Sequence, residues 1–302
     1  MAGTRISDIQ KMTEAGVDVV FNRAAKMPKR KYYGQICTER QEVKQVGSYH
    51  TIGDLGAASV KAEADTVNFD RIQENYETNI TSTTKAKGVE ASLESLEYDL
   101  ERVVKGTFGT ALLQKLQILK EKEVAACYNE GFATDTMADG VYVFSNTHPL
   151  QGSVTLYNDN LMSGALTGEN LITAKNMFNA IYDQSGELFD TEPTTLAIHP
   201  NKLYLALQIL GSSLMALELS NTKNVVNDFM PIKVVTNKYF TDGYWFLIDK
   251  TLEDAGCILQ TKRGVTLKTW WVNENQVFRG LAYEMYGAAF ISPGYGLVGS
   301  AG

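Results

Sequence analysis

Between Ser92 and Gly131 the chain reads as one long amphipathic helix, and that stretch limits what the rest can fold into. Leu93, Leu96, Leu100, Val103, Val104, Phe108, Ala111, Leu112, Leu116, Leu119 and Val124 recur at steps of three or four, so they share one face. Ser92 stands where a hydroxyl can cap the first turn, and Glu94, Glu97, Asp99 and Glu101 follow where the helix dipole favours acids. Lys115, Lys120 and Lys122 gather toward the other end, and Asn129 and Gly131 offer a left-handed stop. At 1.5 Å per residue the helix is about 55 Å long. One small core cannot cover that length, so something extended must lie against it. Gly106 and Gly109 each cost about 1 kcal/mol relative to Ala in a helix interior, which leaves a kink or two helices in tandem open.

The 302-residue chain as a whole is ordinary globular material, 44% hydrophobic and 21% charged, enough for one large or two modest domains. A net charge of -7 argues against a chain dedicated to gripping nucleic acid, without excluding a local basic patch. Cys37, Cys127 and Cys257 are odd in number, far apart and in no CxxC pair, which fits a reducing compartment without a disulfide framework. The N-terminus lacks the apolar core of a signal peptide, and no run of about 18 apolar residues suggests a membrane span.

Residues 1–34 open with a short helical pattern and end in Lys26-Met-Pro-Lys-Arg-Lys31, basic against the trend of the chain, with Pro28 breaking any regular element. This is either a solvated tail or an arm that lies on an acidic neighbour. Residues 45–52 and 71–81 alternate with period two but carry few apolar residues, and a flexible stretch poor in anchors joins them. Two such strands cannot be stable alone and need a partner sheet or another subunit. Residues 139–149 read as a turn, a buried strand and a second break. A helix begins at Thr167 with Glu169 and Asn170 in its first turn, a strand over 194–200 ends at proline, and a second helix covers 201–212. Strands at 232–236 and 244–248 flank a turn at 241–243, so this stretch mixes strands and helices as a compact α+β unit would. Strands return over 257–290, and the glycine-rich end, 291–302, reads as loop.

The chemistry of a site is hard to assemble from this chain. His50, His148 and His199 fall in three different segments, and neither His148 nor His199 has a carboxylate or cysteine at helical or hairpin spacing. There is no GxSxG elbow, no GxxxxGK[ST] loop and no strand-GxGxxG-helix arrangement. Cys127 sits in an apolar helical context and reads as core. The expectation is no catalytic, cofactor-binding or metal-binding residue.

The order of parts resembles the tailed-phage major capsid protein of the HK97 fold. Lys87 to Asp99 leading into the helix, Asn129-Glu-Gly131, Phe144-Ser-Asn-Thr-His-Pro149, Asn158 and the helix with Leu171 are similar to the major head subunits of Mu-like phages. Pro193 to Pro200, 232–236 and 244–248 are similar to that family's central-domain strands, so the resemblance runs over about 35–290. It implies an α+β fold with an N-terminal arm at 1–34, an extended hairpin or E-loop at 35–84, a P-domain with the spine helix at 85–148 plus 249–302, and an A-domain at 149–248.

The function so implied is a self-assembling shell enclosing double-stranded DNA, built of hexamers and pentamers of this chain in the virion and assembled in the host bacterial cytoplasm. Scaffolding, portal and decoration proteins are the family's further partners, packaged DNA is touched non-specifically, and no membrane is involved. Contacts between subunits are expected from the arm's Arg23, Lys26, Lys29, Arg30 and Lys31, from Lys61 and Arg71 on the hairpin, and from Glu94, Glu97 and Asp99 at the start of the spine. Some members cross-link a lysine to an asparagine between subunits, and Lys61 lies in the loop concerned. The competing readings are an encapsulin-like nanocompartment shell of the same fold and a soluble α/β enzyme.

Overall fold

The computed structural model describes residues 32–52, 74–94, 103–150, 153–211, 231–253, 256–291 and 294–302, with scattered positions between 55 and 69. A one-turn helix α1 (Tyr33–Ile36) leads into β1 (Cys37–Gln41), β2 (Val46–Ile52), β3 (Glu74–Thr81) and β4 (Thr83–Ser92), and then into the long helix α2 (Val103–Glu130). The middle holds β5 (His148–Leu150), β6 (Ser153–Asn158), β7 (Leu161–Met162), α3 (Gly168–Phe178), β8 (Thr195–Ile198) and α4 (Leu203–Gly211). β9 (Lys233–Thr236), β10 (Trp245–Ile248), β11 (Cys257–Val272), β12 (Val277–Phe290) and β13 (Leu297–Ser300) complete the described elements.

Two unusually long strands, β11 and β12, pair antiparallel and carry β1 and β4 on their outer edges, giving the order β1-β11-β12-β4. Phe278, Gly280, Ala282, Glu284 and Tyr286 of β12 are buried in strict alternation with half-exposed neighbours. This is the period-two signature of a sheet covered on one face. The cover is α2, whose Leu112, Leu113 and Leu116 pack on Ala282, Val89 and Leu267.

The long helix opens where its sequence reading put it and departs from that reading at its C-terminal end. Thr83–Ser92 is a strand paired with β12 down to Ser92↔Val277, and helical backbone begins at Leu93. Glu97, Asp99 and Glu101 lie outside the described residues. From Val103 the helix runs unbroken through Gly106 and Gly109 to Glu130, 28 residues or about 42 Å. Gly131 is not in the left-handed region. Its role is close approach, since a Cβ there would lie 3.0 Å from both Val143 and the Phe144 ring. Asn129 remains inside the helix and reaches across to a neighbouring turn, donating to Tyr239 O and accepting from Thr241 N.

A second sheet, in the order β7-β13-β10-β8-β9, has α3 on one face. There Leu171, Ala174 and Phe178 meet Leu196, Ile198, Trp245, Leu247 and Val298. Helix α3 starts as its sequence indicates, with Thr167 Oγ1 accepting from Asn170 N at 3.1 Å. The other face, through Ala197, Phe246, Ile248 and Leu297, joins the end of α2 in the largest core cluster. Tyr128 is the hub, with its ring 5.0 Å from both Phe246 of one sheet and Phe290 of the other.

Two further expectations are corrected. Residues 297–300 form a fully buried interior strand, β13, because Leu297 and Val298 face the two cores on either side of the sheet. The buried strand expected within 139–149 is irregular chain. Val143 N and Phe144 N donate to Asp135 O and Gly131 O of the loop after the helix, which satisfies the backbone without a ladder.

Candidate assembly surfaces

The polar segments over 46–52 and 74–81 pair with each other as an antiparallel hairpin, from Val46↔Thr81 to Ile52↔Glu74 with a register shift between His50 and Ile52. Its root meets the body, and further out Tyr76 OH donates to Pro149 O at 3.2 Å. Ile80 packs with Ile258 and Ile291, and buried Gln260 donates to Ile80 O at 3.2 Å and to Ser82 Oγ at 2.9 Å while accepting from Tyr49 OH at 3.1 Å. Between the two strands the chain exposes Leu55, Val60, Val67 and Phe69, with Val60 fully exposed and Phe69 86% exposed. The sequence reading saw this stretch as poor in anchors and missed that it displays apolar side chains outward. Large unsheltered apolar groups on a narrow projection mark a contact surface.

The start of helix α1 is also fixed. Glu121, buried on α2, accepts from Tyr32 N at 2.9 Å and Tyr33 N at 3.0 Å, filling the open amides at the start of α1. Burial holds the Glu121 carboxyl above its ordinary range, against the opposing pull of those two amides. Arg23, Lys26, Lys29, Arg30, Lys31, Arg71, Glu97 and Asp99 lie outside the described residues. Lys61 and Glu94 are described and exposed, and no ion pair joins them.

Beneath the helix lie two ion pairs that sequence spacing did not suggest. Lys120 Nζ is 2.6 Å from Glu284 Oε2, and Lys85 Nζ is 2.6 Å from Glu123 Oε1. The Tyr286 ring lies 4.8 Å from Lys120 Nζ and 5.6 Å from Lys85 Nζ. The signal available in the sequence was Glu284, a carboxylate at an inward position of an alternating strand.

His148 has a partner that its sequence spacing concealed. Its Nδ1 is 2.7 Å from Asp139 Oδ2, both side chains are buried, and the turn at Gly140, with φ of 85°, brings the two together. Asp139 Oδ1 accepts from Val141 N and so holds the turn itself. On the other side His148 Nε2 is 3.3 Å from Asn160 Oδ1, and Asn160 bonds Ser145 N and Val143 O. The Ser145 hydroxyl bonds Thr147 rather than the imidazole. The network is a clamp on backbone and lacks the nucleophile-to-base contact of a triad. His199 accepts from Asn201 N and lies 3.9 Å from Asp242.

The three cysteines, distant in sequence, gather around one core. Cys37 and Cys257 face each other in the β1–β11 pairing, and half-buried Cys127 packs beside them. Burial pushes the Cys37 thiol up to about 12. A hydrogen bond with the Cys127 thiol, then burial, raises Cys257 as well. Thiols so held are poor nucleophiles. Among the described residues no three His, Cys, Asp or Glu side chains gather as a metal site, and no helix is long and apolar enough to cross a membrane. A cleft of about 280 Å³ on the sheet face away from the helix is lined by Val89, Glu90, Trp270, Arg279 and Leu281. Its charges pair with one another, Arg279 Nε to Glu90 at 3.2 Å.

A long helix across a four-stranded sheet, a projecting hairpin and a second α/β unit together define the HK97-like class of shell folds. The virus-like particle protein of Pyrococcus furiosus shares this fold at 10% identity, with a TM-score of 0.52 over 97% of this chain and 99% of that one. The capsid of cyanophage P-SCSP1u does so at 14% identity and a TM-score of 0.56, over 87% and 85% of the two chains. The SrpI encapsulin of Synechococcus elongatus PCC 7942 matches at 10% identity and 0.53, over 90% and 87%. No curated protein sequence matches the chain. The chain belongs to the phage capsid protein family, whose profile matches residues 75–295, well over half its length, and it is a structural shell subunit.

Proposed function

We propose that this chain is the major head protein of a tailed phage, and that copies of it close into an icosahedral shell of hexamers and pentamers around double-stranded DNA. The observation that carries this reading is the β2–β3 hairpin, anchored at its root and displaying Leu55, Val60, Val67 and Phe69 with nothing of its own chain over them among the described residues. Such a projection gains its burial from a neighbouring copy. In this reading 1–34 is the arm, 35–84 the E-loop, 85–148 with 249–302 the P-domain and 149–248 the A-domain. The likeness to Mu-like head subunits rests on the residues quoted for it. Scaffolding, portal and decoration proteins, packaged DNA and assembly in the host cytoplasm follow from the same family. No residue is assigned a catalytic role.

The arm's fixed root narrows its partners. Tyr32 is tied to Glu121, whereas Glu94 lies beyond the far end of β4 at Ser92, itself seven strand residues or about 23 Å from Lys85, which pairs with Glu123 of that same helical turn. Lys29, Arg30 and Lys31 follow the chain for at most about 11 Å from Tyr32. Acids of an adjacent copy are therefore their better partners. The encapsulin reading is favoured by the equal likeness to an encapsulin fold. Purification followed by negative-stain imaging tests both. Closed shells or tubes are expected, and shells that carry a protein cargo and never DNA would favour the nanocompartment. A chain that stays a compact monomer under all salt and crowding conditions overturns the proposal.

A further inference from the structure

We propose that Lys85, Glu123, Lys120 and Glu284 form a register lock that fixes where the long helix sits along the four-stranded sheet, and with it the single curvature of the shell. The second half of this statement rests on the shell reading, whereas the first concerns the chain alone.

Lys85 and Glu284 stand directly opposite each other in the β4–β12 pairing. Lys120 and Glu123 are three residues apart on α2 and therefore share a face. Each sheet charge takes a helix charge of opposite sign, both at 2.6 Å. The helix presents plus then minus, the sheet minus then plus, and the square closes in only one position. A slide of one turn, about 5.4 Å, brings Leu116 or Val124 toward Glu284, a carboxylate only 1% exposed. A charge buried that deeply does not tolerate losing its partner.

Along Leu112 to Leu116 apolar packing does not supply this definition, although Tyr128 anchors the far end of the helix between Phe246 and Phe290. Leucines of α2 rest on Gly280 and Ala282, the smallest side chains of β12, and a Cβ at Gly280 would come no nearer than 3.9 Å to Leu112. Such a surface is smooth and leaves slack along the helix axis. The aromatic rings complete the lock, with Tyr286 near both ammonium groups and Tyr33 5.7 Å from Lys120. The same helical turn carries Glu121, which holds Tyr32 and Tyr33. Helix position, edge strand and arm root are thus set together.

The test pairs an apolar replacement with a charge exchange. Lys120→Met alone strands Glu284 and is expected to abolish soluble protein, whereas Lys120→Glu with Glu284→Lys restores it. Lys120→Met, Glu284→Met, Lys85→Met and Glu123→Met combined removes all four charges and is expected to fold cooperatively. Its shells, imaged by cryo-electron microscopy, should spread over several diameters where wild type gives one. Independently of assembly, nitroxide residues replacing exposed Lys115 and Lys268 report helix position by electron–electron distance measurement. A single narrow distance in wild type should broaden in the fourfold variant. An unchanged narrow distance overturns the lock. A broadened distance with one unchanged shell size overturns only the link to curvature, and if no variant, wild type included, forms shells, the distance measurement still decides the lock while the shell reading falls.

Discussion

Gly287→Ala should loosen the projecting hairpin from the body of the protein. Gly287 lies opposite Gln260 in the β11–β12 ladder, and the end of β3 passes directly over it. A methyl group there would sit 2.5 Å from the Thr81 carbonyl oxygen, 3.0 Å from its carbon and 3.1 Å from Ile80 Cγ2. Two of these three are backbone atoms, so no side-chain rotation relieves the contact. If the strands hold their place, overpacking of this kind costs about 1–3 kcal/mol. If β3 lifts instead, Ile80, only 2% exposed, gives up about 2 kcal/mol of burial. The Gln260 bonds to Ile80 O and Ser82 Oγ then weaken as well, at about 1 kcal/mol each. The two routes together bracket a loss of about 1–4 kcal/mol, with amide exchange accelerated in β2 and β3 before the rest. Gly88→Ala in β4 is the control, since its Cβ would meet only ordinary contacts at 3.7 and 3.8 Å. Thermal melting with hydrogen exchange decides it. Melting within about 0.5 kcal/mol of wild type, with unchanged exchange in the hairpin, would refute the reasoning.

Three other outcomes follow from the same structure. His148→Ala takes the imidazole from buried Asp139 Oδ2 and from Asn160, and should cost about 1–3 kcal/mol in melting; a turnover lost with the imidazole while particles stay intact would contradict its role as a clamp. Glu121, raised above its ordinary 4.5 by burial, keeps its proton longer folded than unfolded, so wild-type stability should fall as pH rises from about 4.5 to the folded value, and Glu121→Gln should lack that slope; parallel melting curves across this window would count against it. Replacing Lys29, Arg30 and Lys31 with Ala should lower the melting temperature of empty shells if the arm clamps neighbouring copies, each exposed pair adding about 0–1 kcal/mol, whereas unchanged empty shells with weakened filled ones would assign the arm to DNA.

What the sequence disclosed, and what it hid, divides along a physical line. Periodic signals in α2, α3, β8 and β10 were legible because apolar spacing and caps such as Thr167 act locally. Residues 85–91 were read only as a lead into the helix because their small and polar residues alternate weakly, and only pairing with β12 makes them a strand. The end at 297–300 was read as loop for a similar reason, since glycines surround a strand whose burial comes wholly from two distant cores. Sites were hidden more deeply. Asp139 with His148, Lys85 with Glu123 and Lys120 with Glu284 all meet through the tertiary fold, and nothing in their spacing announces it. The exposed apolar residues of the hairpin were visible as letters, but whether they faced inward or outward was not.

The place of β13 in its sheet bears on how the protein is made. Residues 297–300 fill an interior position between β7 and β10, and β1, at 37–41, has no ladder until 257–261 exist to receive it. Contacts this distant in sequence close late and slowly. During synthesis Val60 and Phe69 leave the ribosome long before either sheet is complete, and such exposed apolar residues invite a chaperone or a premature neighbour. The same topology leaves a chain cut short before residue 297 without the strand that joins β7 to β10, so its second sheet cannot be completed.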